Sequence, residues 1–442
     1  MQFLCDLLFG IGVIALMWFY VSVLIHRHHC LLPHRWMFGT AIVVWSIVIL
    51  FKFNYLDYVV PPQDAIYHLN QADEIAARIS FGDWSLAKQH FSPGNAGFQL
   101  ILGLAMSLAS PSSYFLRIAF AAIAFCGILS VLETMIIATG ATRMPLLPVA
   151  ATLLLPSVIF WTPEVLKEAG TLWGCCSMLT LAFPISPARK KTTIWKPLTG
   201  MIVVGFLRPQ WLVMWMVAFA VASLSANRKW FLGLLLISLL YPAGLLLKIC
   251  APGLMEKAEM DGVLSARQSF LETAILSVES AGGNTLTYYL GGPVPIVTGG
   301  AIIFLRPFPF EIHNLNELIS GIEVWILSLI MFDNFRRQPK ISVFLHQPGI
   351  GFCCLILLLY SWDFSYLYSM GLAVRQRVAV LPVMLILAFL PQIIRANAGS
   401  VLTQGRKDPP LRRPGRVIAN STLKQRVSRA HQSGRPSTPL DV

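Results

Sequence analysis

Charge is scarce in this 442-residue chain: Asp, Glu, Lys and Arg together make up 12% of it. An ordinary soluble domain carries about 25%, and the mean hydropathy of +0.66 excludes a water-soluble globular fold. Acids are the scarcer sign, 21 against 34 Lys and Arg. No GxxxxGK[ST], HExxH or nucleophile elbow occurs, which leaves no recognisable apparatus for ATP, zinc-protease or serine-hydrolase chemistry. The eight cysteines (5, 30, 126, 175, 176, 250, 353 and 354) fall mostly in or beside apolar runs. They form no paired extracellular framework, so no structural disulfide is expected.

What the chain has instead is apolar runs. Stretches of about 17–25 apolar residues are long enough to cross a bilayer as helices. They are too long and too uniformly apolar for barrel strands. The sequence therefore predicts an all-α, polytopic integral membrane protein. The first run, 3–25, lacks a basic lead and a small-residue cleavage site and carries Asp6, so it reads as a span and not a cleavable leader. Positive charge sets the orientation. The basic pieces at 26–36 (HRHHCLLPHRW), Arg143, 188–191 (ARKK), 227–229 and 335–340 (FRRQPK) share the inside only if 96–110 and 293–305 are re-entrant or partly embedded. Pro and Gly flank both pieces, as that requires. The result is about eleven transmembrane helices plus re-entrant or surface helices, with 197–226 split at Arg208-Pro209. The transmembrane domain covers 1–395, with an acidic extracytoplasmic loop at 52–95 and a second at about 252–292. From Arg395 onward ten Lys/Arg stand against two Asp. The tail, 396–442, is rich in Pro, Ser and Arg; it reads as a disordered cytoplasmic segment drawn to anionic lipid, not to nucleic acid.

One long polar stretch interrupts the first half: PPQDAIYHLNQADEIAARISFGDWSLAKQHFSPG, residues 61–94. It concentrates Asp64, Asp73, Glu74 and Asp83. Ile66, Leu69, Ala72, Ala76 and Ile79 recur at helical spacing, while Asp64, His68, Gln71, Glu74 and Arg78 fall largely on the other faces. The spacing predicts an amphipathic helix along the membrane surface after Pro61-Pro62, with Glu74 and Arg78 as an i,i+4 pair. Asp64 has two readings. It caps the first turn, or it is a general base for a sugar or lipid hydroxyl, mounted on a rigid helix start. Asp83, in Phe81-Gly82-Asp83-Trp84, has the residue type and context of a turn carboxylate.

The predicted orientation gathers most other polar features on the same outer side: Glu164-Lys167-Glu168, Arg208, Arg306 with Glu311, Asp363, and Arg375 with Arg377. Charges near a bilayer are costly, so this points to a wet cavity opening outward. Glu164, Lys167 and Glu168 have the spacing of one helix face; Lys167 pairs with a neighbouring carboxylate, or the group touches substrate hydroxyls. Arg208, Arg306, Arg375 and Arg377 are candidates for a phosphate, whose oxygens match the guanidinium fork; the other reading is snorkelling to the interface. Loop 252–292, with seven charges and the pairs Gly282-Gly283 and Gly291-Gly292, reads either as a lid or as a plain connector. The cluster His26, His28, His29, Cys30 and His34 matches no zinc spacing and reads as an interfacial basic loop. A divalent cation, magnesium or manganese, suits Asp64 with a second acid, but no spacing compels one.

The order Asp64-x-x-Tyr67, an alanine-rich helix, Gly82-Asp83-Trp84, then Ser92-Pro93-Gly94 before an apolar run resembles the first extracytoplasmic loop of GT-C-type membrane glycosyltransferases. That superfamily includes protein O-mannosyltransferases and lipid A aminoarabinose transferases. Pro156-Ser157, Trp161, Pro163-Glu164, Arg208-Pro209 and Arg375-x-Arg377 resemble later helix junctions of the same proteins. The likeness spans about 37–395 in short scattered pieces. It departs from the pattern at Ala65, where a second acid is common, at Ser92-Pro93-Gly94 in place of Lys-Pro-Pro, in the lack of a large soluble domain after the membrane part, and in an extra leading helix.

The resemblance implies transfer of a sugar from a polyprenyl-phosphate carrier to a lipid or glycan acceptor on the outer face of a bacterial inner membrane, in surface-polysaccharide or glycolipid assembly. It implies Asp64 as the base, with Tyr67, Asp83, Glu164, Lys167, Arg208, Arg306, Arg375 and Arg377 around the substrate. Two competitors stay open. A repeat-unit polymerase would depend on outward-facing arginines more than on a carboxylate. A lipid-linked sugar transporter or flippase would carry mid-span charges and an internal repeat.

Overall fold

The computed structural model describes residues 2–56, 63–109, 112–183, 195–225, 295–312, 315–337, 348–364 and 370–407. Among these, 87% are helical and none lies in a strand. The expected lid or connector at 252–292 and most of the basic tail lie outside the described residues. The chain divides into two compact units, Met1–Ala396 and Asn397–Val442, and the first holds every candidate site residue. Of the second, the described part is helical as far as Lys407.

Four helical stretches are long and apolar enough to cross a membrane: Leu8–Arg27, His29–Tyr55, Ser113–Thr139 and Glu317–Arg336. They belong to α1 (Gln2–Arg27), α2 (Arg35–Phe51, continued by a π turn to Leu56), α6 (Ser113–Thr139) and α13 (Leu315–Arg336). Their outward faces carry large apolar side chains such as Leu16, Phe19, Ile47, Leu329 and Phe332. A water-soluble protein does not display such belts, and a bilayer covers them. Six further apolar helical segments of 10–17 residues occur among the described residues. The described residues thus give four spans where the sequence reading expected about eleven. The two pieces expected to be re-entrant are helices of 15 and 10 residues, α5 (Asn95–Ala109) and α12 (Pro295–Phe304).

The polar stretch folds as expected into a helix, α3 (Gln63–Ser80), followed by a short α4 (Ser85–Gln89). Its buried face differs in detail. Ala65, His68, Ala72, Ile75 and Ala76 point inward, whereas Ile66 is exposed. Small residues allow α3 to lie close on α5, where Gly103 meets the Ile75 side chain. Local signals fix the remaining boundaries. Ser112 caps α6 by accepting the Phe115 N–H, and Gly140 closes it in the left-handed conformation at φ 60°. Residues 156–161 form α8 (Pro156–Trp161), with Pro156 in its first turn. Pro209 cannot donate to a preceding turn, so the run splits as expected into α10 (Trp195–Leu207) and α11 (Pro209–Ser225).

The centre of the first unit is α9 (Glu168–Ala182), buried between α6 and α10. Glycines let the backbones meet. A Cβ on Gly127 of α6 would lie 2.8 Å from the Trp173 Cα, and one on Gly174 would lie 2.6 Å from Val204 and 2.9 Å from the Gly200 carbonyl. Such small-residue contacts are how helices pack where water exerts no hydrophobic pressure. Around them α7 (Leu146–Leu153), α14 (Pro348–Phe364), α15 (Met370–Arg377) and α16 (Leu381–Lys407) complete the described helices.

Gly174→Ala is expected to force α9 and α10 apart. Overpacking of this kind costs about 1–3 kcal/mol, and the apparent unfolding temperature in detergent should drop by several degrees. Gly12→Ala, whose Cβ meets nothing within 4 Å, should leave it unchanged.

Candidate functional site

Three helix ends and one short helix bring several buried charged side chains together among the described residues. Each end is mounted on one small apolar cluster that includes Ala65, Ala72, Phe98, Leu102, Leu116, Val165, Leu166 and Leu207. Among these core residues, Ala65 adjoins Asp64, Leu166 adjoins Lys167, and Leu207 adjoins Arg208 in sequence. The cluster thus anchors the backbone beside Asp64, Lys167 and Arg208.

At the centre is Glu168, the first residue of α9, with a side chain only 4% exposed. Its Oε1 faces Arg208 Nη2 at 3.0 Å and Arg375 Nε at 3.1 Å. Arg375 also donates through Nη1 to Asp64 Oδ2, in the first turn of α3. Asp64 thus contacts a residue 311 positions away, and its carboxylate pairs with a guanidinium. The Arg208 guanidinium lies over the Trp211 ring, 4.5 Å from its centroid. The Trp211 indole in turn donates to Asp363 at 3.1 Å. Burial opposes the Arg375 charge, but Glu168 and then Asp64 outweigh it and raise the pKa above the ordinary arginine value.

Lys167 is the cation left over. Its ammonium makes no hydrogen bond or ion pair with the described residues. Burial, and then the neighbouring Arg208 and Arg375 charges against the pull of Glu168, lower its pKa to about 8. Lys167, Arg208 and Arg375 together form a cationic wall beside Asp64. Such a wall suits an anion with several oxygens.

The remaining predicted residues lie elsewhere or in other roles. Residues 162–167 form turns after α8, not a helix, so Glu164 and Glu168 do not share a face as their spacing implied. Glu164 pairs instead with Lys52 at 2.5 Å and Arg117 at 3.6 Å, and Lys52 also donates to the Phe160 carbonyl at 2.7 Å. Tyr67 is exposed, its ring beside that of His68. Asp83 accepts from the Ser85 N–H at 2.8 Å and faces Arg78 at 3.7 Å. Those Ser85 hydrogen bonds, foremost, hold its pKa below the usual value. It stands beyond the far end of α3, roughly 27 Å from Asp64 at 1.5 Å per residue, and is not brought to the cationic wall.

Arg377 lies two residues after Arg375, so the two side chains leave α15 in different directions. Arg377 donates to the Ile302 carbonyl at 2.8 Å and to the Arg306 carbonyl at 2.5 Å. Arg306 holds Glu311 at 2.6 Å. Both arginines are almost fully buried and serve a separate hub, not the wall around Asp64. Sequence reasoning missed Lys52 and Arg117, which sit inside apolar runs, and placed His68 on the wrong face of α3. The i,i+4 spacing of Asp64 and His68 was the available signal. Among the described residues no group of three or more His, Cys, Asp or Glu side chains is placed to hold a metal ion.

Comparison with protein-family models, with curated proteins and with solved structures gave no match. The geometry of the site and the residues that build it carry the functional argument.

Lys167 generates a direct prediction. Between about pH 8 and 10.5 the unfolded chain holds a proton on this side chain that the folded chain has released. Its contribution to stability therefore becomes more favourable as pH rises through that window. Amine-reactive labelling followed residue by residue by mass spectrometry should show Lys167 gaining reactivity with a midpoint near pH 8. In Glu168→Gln, which removes the charge that supports the ammonium, the midpoint should fall further.

Proposed function

We propose that the protein is a membrane glycosyltransferase. It moves a sugar from a polyprenyl-phosphate carrier to a lipid or glycan hydroxyl at the outer face of a bacterial inner membrane, in surface-polysaccharide or glycolipid assembly. The observation that carries the reading is the meeting of Lys167, Arg208 and Arg375 beside Asp64. Support also comes from the resemblance of 61–94 to the first loop of GT-C-type enzymes and from the four membrane-crossing helices.

In this scheme the acceptor hydroxyl gives its proton to Asp64 as its oxygen attacks the anomeric carbon. The bond from that carbon to the phosphate oxygen breaks, and the lipid phosphate leaves with the electron pair. Lys167, Arg208 and Arg375 stabilise the charge that develops on it. Arg375 has two tasks. In the resting site it holds Asp64; when a phosphate engages the guanidinium, the carboxylate is released to accept a proton. A repeat-unit polymerase would draw on the same arginines but leave Asp64 dispensable. A flippase would move the lipid-linked sugar without forming a glycosidic bond.

The test is complementation of a deletion strain at matched membrane levels. Asp64→Asn should lower the missing glycan by roughly two to four orders of magnitude, the usual loss of a general base, and accumulate the unspent sugar-lipid. Full restoration by Asp64→Asn would remove the base assignment and favour the polymerase reading. Translocated sugar-lipid with no new glycosidic bond would favour the flippase.

A further inference from the structure

One titratable side chain at the site has no task in the transfer scheme. His68 lies one helical turn beyond Asp64 on α3 and is 6% exposed. The Phe98 ring meets its imidazole edge-on at 5.3 Å. Gln99, itself buried on α5, brings its amide Nε2 within 3.2 Å of His68 Nδ1. An amide nitrogen donates and does not accept, so Nδ1 is the acceptor and the neutral ring carries its proton on Nε2. Nε2 itself makes no hydrogen bond with the described residues.

The ring stays neutral near pH 7. Burial, foremost, and then the Lys167 ammonium lower its pKa below 6.5, with Arg375 acting in the same direction and Asp64 and Glu168 opposing. The site therefore offers two kinds of donor. Charged ones, Lys167, Arg208 and Arg375, match the charged oxygens of a phosphate. His68 is a neutral donor, and a neutral donor in a buried site matches a neutral oxygen.

We propose that His68 is a specificity-determining residue that donates its Nε2–H to a hydroxyl of the transferred sugar beside Asp64, and that Gln99 is the positioning residue that fixes this tautomer. The proposal rests on the glycosyl-transfer reading above and adds to it the recognition of the sugar. A site built to hydrogen-bond a hydroxyl rejects sugars that lack it, because the buried donor is then left unpaired.

The test compares substitutions that preserve different nitrogens. His68→Gln places an amide nitrogen near the position of Nε2, and His68→Asn places one near Nδ1. In the deletion strain, at matched levels and with Asp64→Asn alongside, His68→Gln should keep most of the glycan. His68→Asn and His68→Ala should lose at least about tenfold, the size of effect expected for one hydrogen bond of this kind. In parallel, nitrogen-15 NMR of the histidine-labelled full chain in nanodiscs reads the ring directly. His68 should show the Nε2–H form with a midpoint below 6.5, and Gln99→Glu should switch it to Nδ1–H and raise the midpoint. An Nδ1–H ring in the wild type, or equal losses in Asn and Gln variants while Asp64→Asn still blocks transfer, would overturn the His68 proposal alone. Normal glycan from Asp64→Asn would instead overturn the transfer reading, and the proposal with it.

Discussion

The Glu168 carboxylate is 4% exposed and is faced by two guanidinium groups, at 3.0 and 3.1 Å. Taking such groups out of water costs several kcal/mol per ion unless geometry and partners offset it. The demand is met by residues far apart in sequence: Arg208 at the junction of α10 and α11, and Arg375 on α15. One buried charge at the start of the central helix thereby gathers side chains from the α10–α11 junction and from α15. Arg375 carries the constraint one step further, to Asp64 on α3.

The apolar cluster explains how these partners can arrive together. Ala65, Leu166 and Leu207 pack into one body, and each is followed or preceded by a charge. The same device recurs on a smaller scale at the break between α10 and α11. There the Gly94 N–H bonds the Phe206 carbonyl at 2.8 Å, and Gly94 sits at φ 98°, a conformation that favours glycine. The stretch after α4 is thus docked on the helix end that presents Arg208. Packing brings the ends together, and the ion pairs set which side chains face one another.

Much of the helical layout was legible in the sequence because it depends on local signals. The polar helix after Pro61-Pro62, the break at Arg208-Pro209 and the long apolar helices all follow from periodicity, proline chemistry and run length. The partners in the site were less legible, because they are set across the fold. Spacing placed Glu164 with Lys167 and Glu168, but Pro163 and the turns around it separate Glu164 and send it to Lys52 and Arg117. Spacing also grouped Arg375 with Arg377, although side chains two apart on a helix diverge. His68 went unnoticed as an inward residue because the apolar positions 66, 69, 72, 76 and 79 outline a stripe slightly rotated from the face that α5 covers. The number of membrane crossings rested on apolar run length and charge placement, and the described residues show four helices long and apolar enough to cross.

The most direct test of the account is a double-mutant cycle between Glu168 and Arg208, read as apparent unfolding temperature in one detergent. Breaking a buried pair from one side leaves a stranded charge and costs about 3–5 kcal/mol, whereas neutralising both members costs far less. The account predicts that Glu168→Gln and Arg208→Gln each destabilise the protein strongly. The double variant should lose clearly less than the two effects added together, with a coupling of about 1–3 kcal/mol. Additive losses would mean that the two side chains do not sense each other, and the convergence on which the site depends would be wrong.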